Sequence, residues 1–516
     1  MSSNPSRART LAQLASWIVL LAPLAWGAHQ PNSWDVDNIA PGSVLKGLSQ
    51  HFGPQWYSSY GPLPYYLVAL VYLPFLALFR FTGELGAPSA TYPWGFSHPD
   101  VSVFLLVVLA RLVTFALAMW SIVQVEREPH ADGARRPWLA PLAFTGSAAF
   151  CYYARTSNVD LFYVAWLFVA FHLAESASTR AGLAAAAAAA VCAVCSKEQA
   201  APFAAAAIGL ALWRARSLPG SALRHVLAVC AAAGLTYALL WKLPLHFDGW
   251  RSHHDFVFHV ARYPRTYPLT PDGLAQMARR FVELMPVAFG WPALLGLALV
   301  FVVRPKLSGL GARAVGSALY LAGFLAPIGY IYPRFLLPLL VLVVPLALRG
   351  WEGAFARWGR IGAVRAALAV ALVAAWVPGG PDLARVQLAD TRVRVESWLR
   401  RLPPGTSFEI AGNPRFQARP PKGTPIEIVS PEDLSKAPRA PRRDVVLISS
   451  VDGGFFYKDP VVKAAWCDSL ADSTRWRRSI AWPDQGFGSA RGLIVSPIVT
   501  AYVRRGTRAE GAPPLR

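Results

Sequence analysis

The chain has 516 residues, of which 54% are hydrophobic and only 15% charged, and its mean hydropathy of +0.35 excludes a single water-soluble core of this size. Its formal net charge of +21 does not point to nucleic acid, because the Arg and Lys residues fall mostly in short loops between apolar runs and in the tail, with no basic stripe or stacking platform. That distribution reads as membrane topology and attraction to anionic lipid headgroups.

Arg7 and Arg9 precede an apolar run at 11–28, read either as a signal anchor or as a signal peptide with a site near Ala25-Trp26-Gly27, so the segment after it is exported. Further runs recur at 62–81, 102–124, 139–153, 159–174, 181–195, 199–213 and 223–241, then at 284–303, 315–331, 335–348 and 362–378. If every run crossed, the loop with Arg127, Arg135 and Arg136 would lie outside, against the positive-inside rule. If 62–81, which opens on Gly61-Pro62-Leu63-Pro64, instead lies along the outer interface, the basic loops at 127–136, 214–224, 304–313 and 349–365 all fall inside. The expectation is therefore an all-α polytopic bundle of about eleven transmembrane helices plus an outer interfacial helix, in the cell inner membrane. Segments 30–81, 155–160, 196–199, 242–283 and 332–334 then face outward and hold nearly all the polar groups that are costly near a bilayer.

The run with seven alanines from Ala184 suits close helix packing. Of the five cysteines, Cys151, Cys192, Cys195 and Cys230 lie in or beside apolar runs, so no disulfide framework is indicated. Cys192-x-x-Cys195 has metal-like spacing but Ala and Val flanks, and reads as packing. No internal repeat of the transporter kind is present. After Pro378 the apolar stretches shorten to strand length at 407–411, 426–429, 445–449 and 493–495, with helical patterns at 382–402 and 461–470 and a Pro- and Arg-rich loop at 414–443. The domains expected are a transmembrane domain, 1–378, and a small extracytoplasmic α/β domain, 379–516.

Chemistry-bearing residues gather in the outer segments. Trp34-Asp35-Val36-Asp37-Asn38 comes directly after the first crossing, and a carboxylate there can serve as general base or ligate a divalent metal, although capping and turn chemistry explain most such pairs. Arg111, inside an apolar run, needs a partner such as Asp100 or Asp160, or a water-filled cavity. Arg155, Asp160, Lys197, Glu198 and Arg334 stand at the outer ends of different spans, where snorkelling explains any one of them better than all of them. Cations around one or two carboxylates suit displacement of a sugar from a lipid phosphate: Arg and Lys neutralise the leaving group and a carboxylate deprotonates the acceptor. The loop 242–283, with His246, His253, His254 and His259, reads as substrate recognition rather than a metal site, since adjacent histidines do not share a helical face.

In order and spacing these motifs resemble the GT-C superfamily of integral-membrane glycosyltransferases, in particular bacterial relatives of protein O-mannosyltransferase and of the aminoarabinose transferase that modifies lipid A. The resemblance runs from about Leu11 to Gly412. It rests on Trp34-Asp35-Val36-Asp37-Asn38, on Tyr60-Gly61-Pro62-Leu63-Pro64 in the outer loop, on Ala110-Arg111-Leu112, and on Arg155-Thr156-Ser157-Asn158-Val159-Asp160. Ser196-Lys197-Glu198, Tyr332-Pro333-Arg334, Asp390-Thr391-Arg392, Trp398-Leu399 and Leu402-Pro403-Pro404-Gly405 complete it.

The resemblance implies inverting transfer from a polyprenyl-phosphate sugar to a lipid, polysaccharide or protein acceptor of the envelope on the outer face. Asp37, or Asp35, would be catalytic, and Arg111, Arg155, Lys197 and Arg334 would bind the donor phosphate. Asp160, Tyr60, Glu198, His253 and His254 would bind substrate. No cofactor is implied beyond a divalent metal, and Asn38 standing where the family has Glu weakens that. A membrane transporter and a wall-polymer or O-antigen ligase are the alternatives.

Overall fold

The computed structural model describes residues 5–28, 34–35, 38–53, 56, 59–128, 137–260, 265–483, 493, 495–511 and 513. The chain forms two compact units, one of Met1–Ala25, Asp37–Leu383 and Arg491–Leu493, the other of Trp26–Val36, Ala384–Ala490 and Ile494–Arg516.

The first unit is helical. It comprises α1 (Pro5–Leu21), α2 (Gly42–Ser49), α3 (Leu63–Phe81), α4 (Pro99–Glu126), α5 (Leu139–Thr145), α6 (Ala148–Ala154) and α7 (Val159–Ser176). It continues with α8 (Arg180–Val194), α9 (Ala201–Ala215), α10 (Ala222–Leu240), α11 (Leu243–Asp255), α12 (Pro271–Phe289), α13 (Trp291–Val303) and α14 (Gly311–Tyr320), then helices at Leu340–Trp358 and Gly362–Trp376. Among the described residues seven helices are long and apolar enough to cross a membrane, or eight if α12 and α13 count as one span bent by 111°.

Leu63–Phe81, expected at the outer interface, is one of these seven, while other expected crossings fold as shorter apolar helices such as Arg9–Leu21 and Arg180–Val194, or in pieces. The run at 139–153 breaks into α5 and α6 at Gly146-Ser147, and that at 284–303 bends at Gly290. Gly290 has φ +78° and lies so close to the Gly146 carbonyl that any side chain there would collide with it, while Ser147 Oγ donates to the Ala288 carbonyl at 2.6 Å. The segment expected to be an outer loop, 242–283, is mostly helix. Thr270 caps α12 and Pro271 opens it, and α12 buries only one face, which a search for continuous apolar runs overlooks.

α1 runs antiparallel to α4: Arg9 pairs with Glu126 at 2.6 Å, and at the other end Arg111 donates to the Leu24 carbonyl at 2.6 Å. α3 begins at the level of the α8 C-terminus, where Leu63 N donates to the Cys195 carbonyl at 3.2 Å. Gly61 approaches that carbonyl so closely that a methyl group would collide with it. From there α3 packs against the half of α4 that α1 does not accompany, with Tyr72 OH donating to the Leu106 carbonyl at 2.7 Å. α7 lies at the centre, buried on all sides, and the alanines of α8 let the two helices approach closely.

The second unit holds a five-stranded sheet in the order β2-β1-β3-β5-β4. β1 (Phe408–Ala411), β2 (Ile426–Val429) and β3 (Val445–Ser449) are parallel, and β5 (Val499–Arg504) runs antiparallel to β3 and to β4 (Trp476–Ala481). The first three strands coincide with the expected short apolar stretches. The described residues of the fourth stretch, Leu493 and Val495, are not in a strand, and β4 and β5 take its place. β4 escapes a hydropathy reading because Arg477 and Arg478 interrupt it, and β5 because, paired on both sides, it is buried without alternation. The stretch 414–443 is not one loop, since it also carries a helix at Pro431–Lys436 capped by Ser430.

Asp452, buried beside Gly412 after β3, has its carboxyl pushed up to about 6 by burial, from an ordinary 3.8. Between those values the folded unit holds a proton the unfolded chain has lost, so stability falls as pH rises through that window and stays low above it. Asp452→Asn should therefore raise the melting temperature of the full chain at pH 8 and leave it nearly unchanged at pH 4; a variant less stable than wild type at pH 8 contradicts this.

Candidate active site

Four segments far apart in sequence meet at one end of the first unit. The first follows the acidic motif Trp34-Asp35-Val36-Asp37: Asn38 pairs with Asn158 as an isolated antiparallel bridge, and Ile39 N donates to the Ser157 carbonyl at 3.1 Å. Asp37 itself lies outside the described residues.

The second segment opens α7. Asn158 is extended and its side chain accepts from Asp160 N at 2.9 Å, so Asp160 falls in the first helical turn, where the backbone dipole favours an anion. The third links α8 to α9. Lys197 is extended there, a short 3-10 turn spans Glu198–Ala200, and Pro202 stands near the start of α9. This turn delivers Lys197 Nζ to Asp160 Oδ1 at 2.7 Å and Gln199 Nε2 to the same oxygen at 3.1 Å. The pair is buried, its side chains 11% and 0% exposed. Asp160 Oδ2 and Gln199 Oε1 are also buried and accept no hydrogen bond among the described residues.

The fourth segment is Tyr332-Pro333-Arg334-Phe335, extended at Tyr332 and helical from Pro333. Lys197 Nζ lies 6.0 Å from the Phe335 ring centroid and 5.4 Å from that of Tyr60, and the Arg334 guanidinium lies 5.3 Å from the Phe335 centroid. Two cations thus share one aromatic ring.

Next to Lys197, Glu198 Oε1 meets His253 Nε2 at 2.6 Å. His254 turns elsewhere, stacking on Trp250 with centroids 4.5 Å apart and meeting Tyr237 OH at 3.3 Å. The two rings meet edge-on at 5.3 Å, and among the described residues no group of three His, Cys, Asp or Glu is arranged to hold a metal ion.

No protein-family model matches the sequence, and no curated protein matches it. Among solved structures the chain is similar to ArnT from Cupriavidus metallidurans in the apo state, at 11% identity over 95% of this chain and 97% of that one, with a TM-score of 0.47. It is similar to ArnT bound to undecaprenyl phosphate at 12% identity over the same shares, 95% and 97%, with a TM-score of 0.44. The archaeal oligosaccharyltransferase AglB from Archaeoglobus fulgidus is similar at 13% identity over 80% of this chain and 62% of that one, with a TM-score of 0.40.

Other expected site residues make contacts of their own. Arg111 and Arg155 are fully buried and donate to the carbonyls of Leu24 at 2.6 Å and of Gly380 at 3.5 Å. Asp160, a candidate partner for Arg111 by sequence, is taken by Lys197 and Gln199 instead.

Asp35 belongs to the second unit and is buried there beside Trp34. In that unit the Asp390-Thr391-Arg392 motif forms a clamp. Asp390 accepts from Arg392 NH2 at 2.8 Å, from Trp26 Nε1 at 2.9 Å and from Ser496 N at 3.0 Å, and the Arg392 guanidinium lies 4.1 Å from the Trp34 ring centroid.

Sequence reasoning missed Gln199 and Tyr163, whose hydroxyl accepts from Gln199 Nε2 at 2.6 Å. The signal was present: Tyr163 lies at helical spacing from Asp160, and Gln199 extends the Ser196-Lys197-Glu198 motif.

Proposed function

We propose that the chain is a membrane glycosyltransferase of GT-C type that moves a sugar, with inversion, from a polyprenyl-phosphate carrier to an envelope acceptor on the outer face of the inner membrane. The observation that carries this reading is the buried Asp160–Lys197 pair, set beside the Asn38–Asn158 bridge and sharing Phe335 with Arg334. It is reinforced by the order of the sequence motifs, since the segments that meet are those that resemble the superfamily.

Asp37, next to the bridged Asn38, takes the proton from the acceptor hydroxyl or amine. The acceptor oxygen or nitrogen bonds to the anomeric carbon while the bond from that carbon to the phosphate oxygen breaks. The phosphate leaves as an anion and needs no general acid, because Lys197 and Arg334 neutralise it and Arg111 and Arg155 add positive charge. Asp160 and Tyr60 hold the sugar, and Glu198, His253 and His254 the acceptor. α3 serves as the outer interfacial helix, tied to α4 through Tyr72 and the Leu106 carbonyl. Residues 1–378 act as the catalytic membrane domain and 379–516 as an extracytoplasmic domain.

The test uses full-length protein in lipid, radiolabelled polyprenyl-phosphate sugars and an extract of envelope acceptors, comparing wild type with Asp37→Asn. Transfer or slow donor hydrolysis that disappears in the variant is the expected result. Folded wild type that turns over no donor sinks the reading and favours transport.

A further inference from the structure

A cleft beside this site shares only His253 with the residues assigned a role in the reaction described above. It is a half-open cleft whose space of about 380 Å³ includes the solvent at its mouth. Its walls are Phe52, Trp56 and Tyr66 on one side and Trp241, Lys242 and His253 on the other. Phe52 meets Trp56 edge-on at 4.8 Å and Tyr66 at 5.1 Å, and Trp241 lies 4.8 Å from His253.

The backbone around this cleft is unusual. Six described residues other than glycine have positive φ; two of them, Phe52 (46°) and Lys242 (49°), line it, and a third, His51 (54°), precedes Phe52. L-residues rarely adopt that conformation, and its concentration at one cavity is a mark of function.

Lys242 Nζ lies 5.4 Å from the Tyr66 centroid, and its hydrogen bond to the His51 carbonyl is a long 3.5 Å. No carboxylate pairs with it among the described residues. His246, also on the cleft, keeps a buried Nδ1 without a hydrogen-bond partner among the described residues.

We propose that this cleft binds one sugar ring carrying a single carboxylate, as the acceptor end of the reaction. This rests on the glycosyltransferase reading for its role, though not for the binding itself. Aromatic walls match the apolar C–H faces of a pyranose, and Lys242 supplies the one positive charge a uronate needs. A phosphate monoester carries nearly two negative charges and would be undercompensated, the more so because Glu198 stands behind His253. His253 lines the cleft and holds Glu198, the neighbour of Lys197, so the bound ring lies next to the proposed donor phosphate.

The test is a tryptophan-fluorescence titration of full-length protein in nanodiscs with glucuronate, glucose and glucose 6-phosphate, without donor. Glucuronate should quench saturably and bind about tenfold more tightly than either competitor, as one charge-assisted contact allows. Lys242→Met should erase that preference while glucose binding persists, which also shows the variant to be folded. Trp241→Leu should weaken all three sugars together. Equal affinity for glucose, tighter phosphate binding, no binding at all, or a preference that survives Lys242→Met each overturns the proposal. Uronate binding by a protein that turns over no lipid-linked sugar overturns the glycosyltransferase reading and leaves the cleft assignment standing.

Discussion

Lys197→Met is expected to lower sugar transfer by about 10²–10³-fold, the usual cost of removing one group that stabilises transition-state charge. The change also leaves Asp160 in a buried site with its cation gone, which costs on the order of 3–5 kcal/mol in stability. Loss of activity alone therefore does not separate chemistry from folding. The double variant Lys197→Met with Asp160→Asn does, because an amide at position 160 can still accept from Gln199, which lies 3.1 Å from Asp160 Oδ1. The double variant should recover most of the lost melting temperature and none of the lost transfer. Recovery of both would make the pair a structural tie, and full activity in the single variant would remove Lys197 from the reaction.

Much of the site was legible because membrane insertion makes charge expensive. Asp160, Lys197 and Arg334 stand at the ends of apolar runs, where few polar residues are tolerated, so a reading of the sequence could single them out before any contact was known. What one sequence does not encode legibly is which partner each charge takes. Asp160 was a plausible counter-ion for Arg111, yet the turn at Glu198–Ala200 carries Lys197 and Gln199 to it while Arg111 reaches the Leu24 carbonyl. Side chains that carry no charge at neutral pH were less visible still. Gln199, Tyr163 and the aromatic residues of the cleft resemble ordinary packing positions until their neighbours are known.

The fold divides in the same way. Long runs such as α4, α7 and α10 were readable from hydropathy alone. The breaks at Gly146 and Gly290 were not, because they arise where two backbones meet, a tertiary event with no local pattern. α12 was hidden by its polar face, and β4 by its arginines. The Asp390-Thr391-Arg392 motif was visible as a resemblance, but its place in a clamp on Trp26 and Trp34 emerges only from the structure.

At the opposite end of α7 from Asp160, a second buried charge cluster makes a strong stability prediction. Arg313 is fully buried and reaches Glu128 and Glu175, each at 2.6 Å, and its NH1 donates to the Val341 carbonyl at 3.1 Å. Four segments are tied by one guanidinium, whose planar fork matches two carboxylates better than an ammonium does. Arg313→Leu should cost about 3–5 kcal/mol, because two neighbouring, largely buried carboxylates lose their shared cation. Glu175→Gln should cost less, since one carboxylate then remains against the cation. The triple change, Arg313→Leu with Glu128→Gln and Glu175→Gln, should regain much of the loss, as replacing a whole buried ion cluster with neutral groups often does. Melting of the solubilised full chain should thus rank wild type and the triple variant above Glu175→Gln and place Arg313→Leu last. If Arg313→Leu melts with wild type, the cluster is solvated and does not hold that end of the bundle.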